Sequence, residues 1–355
     1  MKRRDFAMGL GLAWAPGPFL ARAAASANSA IADDAWTKAS SGAVPILGRG
    51  DAFLIQRHGK LIFERYGADH GPTSPHVSWS MAKSITHALV GVGVKQGKID
   101  IDRPLKAVPH GDPKLNLRTL LTLTDGLQWD EGDYDPAKSD ATRELYGEGR
   151  FDGAAYTAAK PQAYPPGTHW RYSTGAFHLA AAELQAHLFP DLTAAEARRA
   201  AMADWIDANL FHPLAMTTAV AEFDAAGTFV GGSWVYASAR DYAKFGELYR
   251  LDGLWNGRRL LPEGWVKFAR APTLEPIYGA GFWLEAPSNA KTLSLMAGKG
   301  PLDGFSAQGH DGQVILVVPS KALVVVRLGL MDDGDAAWRA LGDWLTPVVN
   351  AFPDA

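Results

Sequence analysis

The sequence predicts an α/β (α+β) fold: an antiparallel sheet assembled from both chain ends, flanked by helices, with a mainly helical insert between. Three observations predict it. Phe53 to Arg57 and Leu61 to Tyr66 are strand-like runs joined by His58-Gly59-Lys60, the pattern of a β-hairpin. From about residue 95 to 230 the pattern is mainly helical and loop-rich. After Gly231 strands return, at Phe282 to Leu284, Gln313 to Val318 and Ala322 to Leu328, the last two joined across Pro319-Ser320-Lys321. Residues 28–94 and 231–355 are thus expected to form one α/β lobe and residues 95–230 a mainly helical one, with the site between them.

At the N-terminus, Lys2-Arg3-Arg4-Asp5-Phe6 precedes a modest apolar stretch, Ala7 to Ala15, and small residues around Ala21-Arg22-Ala23 and Ala25-Ser26-Ala27. Paired arginines, an apolar run too short to span a bilayer and Ala-x-Ala sites predict a twin-arginine export signal over residues 1–27. A Sec signal and a cytoplasmic N-terminal helix are the alternatives. The expected location is periplasmic or secreted, with no stable membrane anchor once the signal is removed.

The next informative stretch is Val77-Ser78-Trp79-Ser80-Met81-Ala82-Lys83-Ser84-Ile85-Thr86-His87-Ala88-Leu89-Val90. Residues three apart on a helix share a face, so the Lys83 amine can reach the Ser80 hydroxyl. A serine hydroxyl needs a neighbouring base to become a nucleophile. Lysine serves if burial lowers its pKa, and Ile85, Ala88, Leu89 and Val92 supply an apolar setting. The helix N-terminus directs backbone N–H groups at an oxyanion forming beside Ser80. Ser-x-x-Lys also arises by chance, and a second copy, Ser288-Asn289-Ala290-Lys291, follows Pro287 with no apolar helix behind it. That copy reads as solvated loop. Asp130, Glu131, Asp133 and Asp135 read most simply as a solvated face, with a substrate-gating loop as the sharper alternative.

Further along, Tyr164-Pro165-Pro166-Gly167 is turn chemistry, leading through Thr168-His169-Trp170-Arg171-Tyr172-Ser173-Thr174-Gly175 into a helix from Ala176 to His187. Tyr172 opposite Ser80 could relay a proton to a leaving group; an aromatic packed at a turn is the commoner case. Trp79 and Trp170 flank these motifs and could line a cleft. Asp191 to Leu210 reads as helix, closed by His212-Pro213. Gln308-Gly309-His310-Asp311-Gly312-Gln313 runs into the strand starting at Val314, and a glycine there lets substrate approach the backbone. His310 is otherwise a turn histidine. Asp335 to Leu345 reads as a closing amphipathic helix carrying Trp338 and Trp344.

Composition agrees with an enzyme that buries a large core: 355 residues, 47% hydrophobic and 21% charged. The formal charge of −3 argues against a nucleic-acid partner. Without residues 1–27 the chain loses Lys2, Arg3, Arg4 and Arg22 against Asp5, so −3 becomes −6. There is no cysteine, hence neither disulfide nor thiol chemistry. The ten histidines show no His-Glu-x-x-His or paired spacing, so no metal and no cofactor is expected. No Gly-x-Ser-x-Gly elbow and no phosphate-binding loop is found.

Taken in order, Ser80/Lys83, Tyr172 and the stretch at His310 resemble the serine β-lactamase and penicillin-binding protein superfamily over roughly residues 45 to 345. The resemblance is nearer to the class C β-lactamase-related branch that includes 6-aminohexanoate-dimer hydrolases and carboxylesterases. Leu120 to Trp129, Gly231-Gly232-Ser233-Trp234, Ala239 to Gly246, Trp255-Asn256-Gly257 and Gly309 to Gln313 belong to that pattern. The resemblance implies a β-lactamase/transpeptidase-like fold with Ser80 as nucleophile, Lys83 as base and Tyr172 as proton relay. His310 and Gly312 would stand in the third motif, Thr174 and Trp170 beside the substrate, and the N–H groups of Ser80 and Gln313 in the oxyanion hole. Two departures stand out: the middle motif reads Tyr172-Ser173-Thr174 where the family has Tyr-x-Asn, and no Lys-Thr-Gly occurs. The expected function is hydrolysis of a small-molecule ester or amide through a Ser80 acyl-enzyme. The alternatives are a β-lactamase or D-alanyl carboxypeptidase, and a cell-wall-binding or sensor protein of the same fold.

Overall fold

The structure is a computed structural model that describes residues 18–355 other than 109–110, 133–134, 291, 293 and 333, with side chains from Ser29 onward. Most of the expected export segment, and Asp133 and Lys291, lie outside the described residues. Six antiparallel strands form the main sheet: β1 (Arg49–Arg57), β2 (Lys60–Tyr66), β3 (Trp283–Leu284), β4 (Phe305–Gly309), β5 (Gln313–Val318) and β6 (Leu323–Leu330). Their order is β2-β1-β6-β5-β4-β3, so the two chain ends meet where β1 pairs with β6. This is the sheet expected from the sequence, with β4 as an addition.

Strand residues alternate between faces, and both faces are covered here. Leu54, Ile315, Val317, Val324 and Val326 join one core with helices α2 (Met81–Lys95) and α4 (Ala239–Arg250). Phe53, Ile55, Val314, Leu316 and Val325 join the other, with α1 (Pro18–Ser40) and α5 (Asp335–Asn350). That is why β5 and β6 read as unbroken apolar runs. The first and last helices are tied directly, Trp344 Nε1 donating to the Ala35 carbonyl at 2.8 Å. The closing helix continues past its expected end at Leu345, carrying Pro347 into its last turn.

The segment between contributes helices, of which α3 (Thr174–Leu188) is the most buried and packs on α2. The helix expected from Asp191 to Leu210 is shorter, Ala195–Ile206, followed by a wider turn through Phe211. A small second sheet pairs His76–Val77 with Val235–Ala237, which also pairs with Val220–Ala221. This sheet delivers the chain to the start of α2. Among the described residues no helix is long and apolar enough to cross a membrane.

Candidate active site

Ser80 is held by the turn that precedes it. The Ser78 N–H donates to the Val235 carbonyl at 2.7 Å, and the Val235 N–H donates back to Ser78 Oγ at 3.0 Å. Ser78 Oγ in turn donates to the Trp79 and Ser233 carbonyls. Trp79 then adopts φ +44°, a left-handed conformation that a bulky residue enters only when its surroundings impose it. Ser80 occupies the N-cap position of α2, yet its hydroxyl makes no capping bond. It meets Lys83 Nζ at 2.8 Å.

Lys83 is 1% exposed. Its Nζ donates to the Thr174 hydroxyl oxygen and to the Gly232 carbonyl, both at 2.9 Å. Burial pulls its pKa from 10.5 down to about 8, against the opposing charges of Glu131 and Glu144. Gly232 is required for this approach: a Cβ there would stand 2.5 Å from the Thr174 carbonyl. The face of Tyr172 lies 4.8 Å from Nζ, measured to the ring centre. Tyr172 stacks on Trp283 at 5.6 Å, and with Trp170 and Tyr278 these rings form one aromatic wall.

Glu131 was not singled out by the sequence from its acidic loop, and its environment corrects the solvated-face reading. It accepts the Thr174 hydroxyl and N–H, each at 2.6 Å, and Trp129 Nε1 at 2.8 Å. Because the Thr174 hydroxyl donates to Glu131, its oxygen can only accept from Lys83. The Gly232 carbonyl is likewise an acceptor alone. Two N–H directions of Lys83 are thereby assigned, and in the neutral amine the lone pair is left facing Ser80 Oγ. Thr174 thus occupies the place of the missing amide.

The third motif needs a larger correction. The site-facing strand is β4, an element the sequence does not predict. A Cβ on Gly309 would stand 2.2 Å from the Ser78 carbonyl and 3.1 Å from Trp79 Cβ, so β4 ends against the nucleophile turn. His310 packs edge-on to Trp79 at 5.3 Å, and its Nε2 lies 3.3 Å from Asp311 Oδ1. The Gln313 N–H, expected in the oxyanion hole, donates instead to the His310 carbonyl across a three-residue turn. Its side chain bonds the Gly329 backbone inside the sheet. Gly312, at φ +74°, packs on Arg327 and Met331 and not toward Ser80. Buried Arg327 pins this turn by donating to the Asp311 and Leu47 carbonyls at 2.6 and 2.7 Å. Ser288 is exposed, away from any apolar helix.

Known proteins share this fold. The family model for Beta-lactamase matches residues 45–330. The chain belongs to the β-lactamase family. The 6-aminohexanoate-dimer hydrolase of Paenarthrobacter ureafaciens is 25% identical over 319 residues, covering 86% of this chain and 79% of that protein. Among solved structures, EstCE1, described as a hydrolase with promiscuous acyltransferase activity, superposes with a TM-score of 0.67 at 16% identity, covering 91% of this chain and 99% of its own. A β-lactamase from Mycobacterium bovis gives 0.62 at 18% identity, covering 87% and 98%. The structural likenesses speak for the fold; the family match makes this β-lactamase-family chain a serine hydrolase.

Proposed function

We propose that this serine hydrolase cleaves a small ester or linear amide through an acyl-enzyme on Ser80. The observation that carries the reading is the 2.8 Å contact between Ser80 Oγ and a buried lysine whose pKa has fallen to about 8. Neutral Lys83 takes the Ser80 proton as Oγ attacks the substrate carbonyl carbon. The oxyanion is received by the Ser80 N–H and by the N–H of His310, a choice supported by Gly309 lying against Ser78 and Trp79. Collapse breaks the ester or amide bond, and the leaving group takes a proton through Tyr172. Water then attacks the acyl carbon, the same groups return its proton, and Ser80 is regenerated.

Preference for uncharged acyl groups over β-lactams is supported by the absence of a lysine in the third motif. His310 sits beside Asp311, and that carboxylate opposes the carboxylate of a β-lactam. Kinship with a protein named 6-aminohexanoate-dimer hydrolase supports including linear amides. Export before function is part of the same proposal, resting on Lys2-Arg3-Arg4 and the Ala-x-Ala sites.

The test is covalent labelling beside a substrate panel. A fluorophosphonate should add once per chain, on the peptide holding Ser80, and Ser80→Ala should abolish both label and turnover. p-Nitrophenyl esters should be hydrolysed clearly, with nitrocefin turnover weak or absent. Labelling at Ser288 would defeat the mechanism, and nitrocefin as the best substrate would defeat the specificity.

A further inference from the structure

We propose that Asp51, His70 and His76 form a binding site for a divalent transition-metal ion of the zinc class, separate from the Ser80 chemistry. Asp51 lies in β1 where the register passes from Gly50 opposite Gly329 to Ala52 opposite Leu328, leaving Asp51 as the bulged residue. A bulge re-aims a side chain, and here the carboxylate turns toward the loop that follows β2. His70 Nε2 and His76 Nε2 each lie 3.8 Å from the same atom, Asp51 Oδ2. The two rings stack with centres 4.9 Å apart, and the ligand atoms of all three residues fall within 4.8 Å of one another.

The other nitrogens decide the tautomers. His70 Nδ1 is 2.8 Å from the Ala68 carbonyl and His76 Nδ1 is 3.0 Å from the Ser74 carbonyl. A carbonyl can only accept, so both Nδ1 atoms carry a hydrogen, and in that tautomer each Nε2 is left to present a lone pair toward Asp51. This is the outer arrangement that metal-bound histidines use. His76 Nε2 is buried with no hydrogen-bond partner. At 3.8 Å no proton bridges these atoms. Three electron-rich atoms therefore converge on one point, which a cation would relieve.

Two nitrogens and a carboxylate oxygen, with the His70 side chain partly exposed, match the ligand set of a three-ligand zinc site. Ligand atoms around zinc stand about 3.3–3.5 Å apart, so modest side-chain movement closes the site. Arg49 already holds the carboxylate, with Nε 2.6 Å from Oδ1 and Nη2 3.2 Å from Oδ2. Its charge, with that of nearby Arg327, opposes a dication, so the expected affinity is micromolar and not nanomolar. His76 pairs with Ala237 only a few residues before Ser80. A bound ion would therefore clamp β1 to the segment that carries the nucleophile turn.

The full protein, stripped with EDTA and desalted, is titrated with cobalt(II) chloride in the visible range and with zinc chloride by calorimetry and thermal melting. We expect one saturable equivalent per chain, tetrahedral cobalt absorption, and a melting temperature several degrees higher in saturating zinc. His70→Ala and His76→Gln should each weaken binding by at least about 10-fold. His70 lies on a partly exposed loop, so His70→Ala keeps the test open if His76→Gln does not fold, circular dichroism deciding that point. No saturable uptake up to millimolar metal would overturn the proposal. So would uptake of unchanged affinity in a folded His70→Ala protein.

Discussion

Thr174 and Glu131 are joined twice, the Thr174 hydroxyl and backbone N–H each lying 2.6 Å from a Glu131 carboxylate oxygen. The consequence reaches Lys83, which has no contact of its own with Glu131 within hydrogen-bond range but receives its orientation through Thr174. An amine rotates freely about its last bond. Here two fixed acceptors remove that freedom, and the direction toward Ser80 remains for the proton being transferred.

Glu131→Gln should therefore act on two quantities in opposite senses. The carboxylate's charge raises the Lys83 pKa, so its removal shifts the acid limb of the pH–rate profile to lower pH. The plateau rate should fall at least about 10-fold, because an amide can donate to Thr174 and release the hydroxyl to turn. A lower plateau with an unmoved limb would mean a packing role alone.

Ester hydrolysis by the unaltered protein should rise with pH through about 8, the value to which burial brings Lys83. Only the neutral amine can accept the Ser80 proton, so activity falls about tenfold per pH unit below that point and levels above it. Lys83→Ala should cost roughly 10²–10⁴-fold in acylation, read by stopped-flow release of p-nitrophenolate. A profile flat between pH 6 and 9 would count against a lysine base.

Tyr172→Phe should impair amide cleavage more than ester cleavage. An amine must leave protonated, whereas a nitrophenolate leaves readily as an anion. The ratio of kcat/KM for matched amide and ester substrates measures this directly. Equal losses on both would show that the ring, stacked on Trp283, matters only as a wall.

His178 predicts a pH-dependent stability away from the reaction. Burial disfavours its charge, but Asp224 at 3.2 Å and Glu144 at 3.5 Å outweigh that and raise its pKa to about 9. A raised folded value stabilises below the ordinary value of 6.5, and the gain is lost as pH rises through about 9. The urea midpoint should accordingly be higher at pH 6 than at pH 9. His178→Gln should cost about 3–5 kcal/mol at pH 6 by stranding two buried carboxylates, and should flatten this dependence. A midpoint insensitive to pH in the unaltered protein would refute the charged pair.

What could be read before the structure was known depended on whether neighbours in sequence are neighbours in space. Ser80 and Lys83 share a helix face, so their pairing was visible in the spacing. Strands β5 and β6 were visible because both their faces are covered and their residues are uniformly apolar. Strand β4, with Ser306, Gln308 and Gly309 among five residues, lacks that pattern and exists through its pairing with β3 and β5. Glu131 looked like its acidic neighbours because what distinguishes it, Thr174, is far away in sequence. That the Gln313 N–H is spent on the His310 carbonyl is not legible in the sequence, because residue identity does not reveal which donor a tight turn consumes. His70 and His76 have no ligand-like spacing, and only the bulge at Asp51 brings a third group to them.

The pairing of β1 with β6 has a consequence for how the chain is made. Ala52 finds its partner Leu328 only after almost everything between them has been synthesised. Until then β1 has β2 alone beside it, with a long apolar edge open to any other strand. Folding governed by such distant partners is slow, and the emerging chain is exposed to aggregation for most of its synthesis. The ribosome must therefore finish nearly the whole polypeptide before the sheet beneath Ser80 can close.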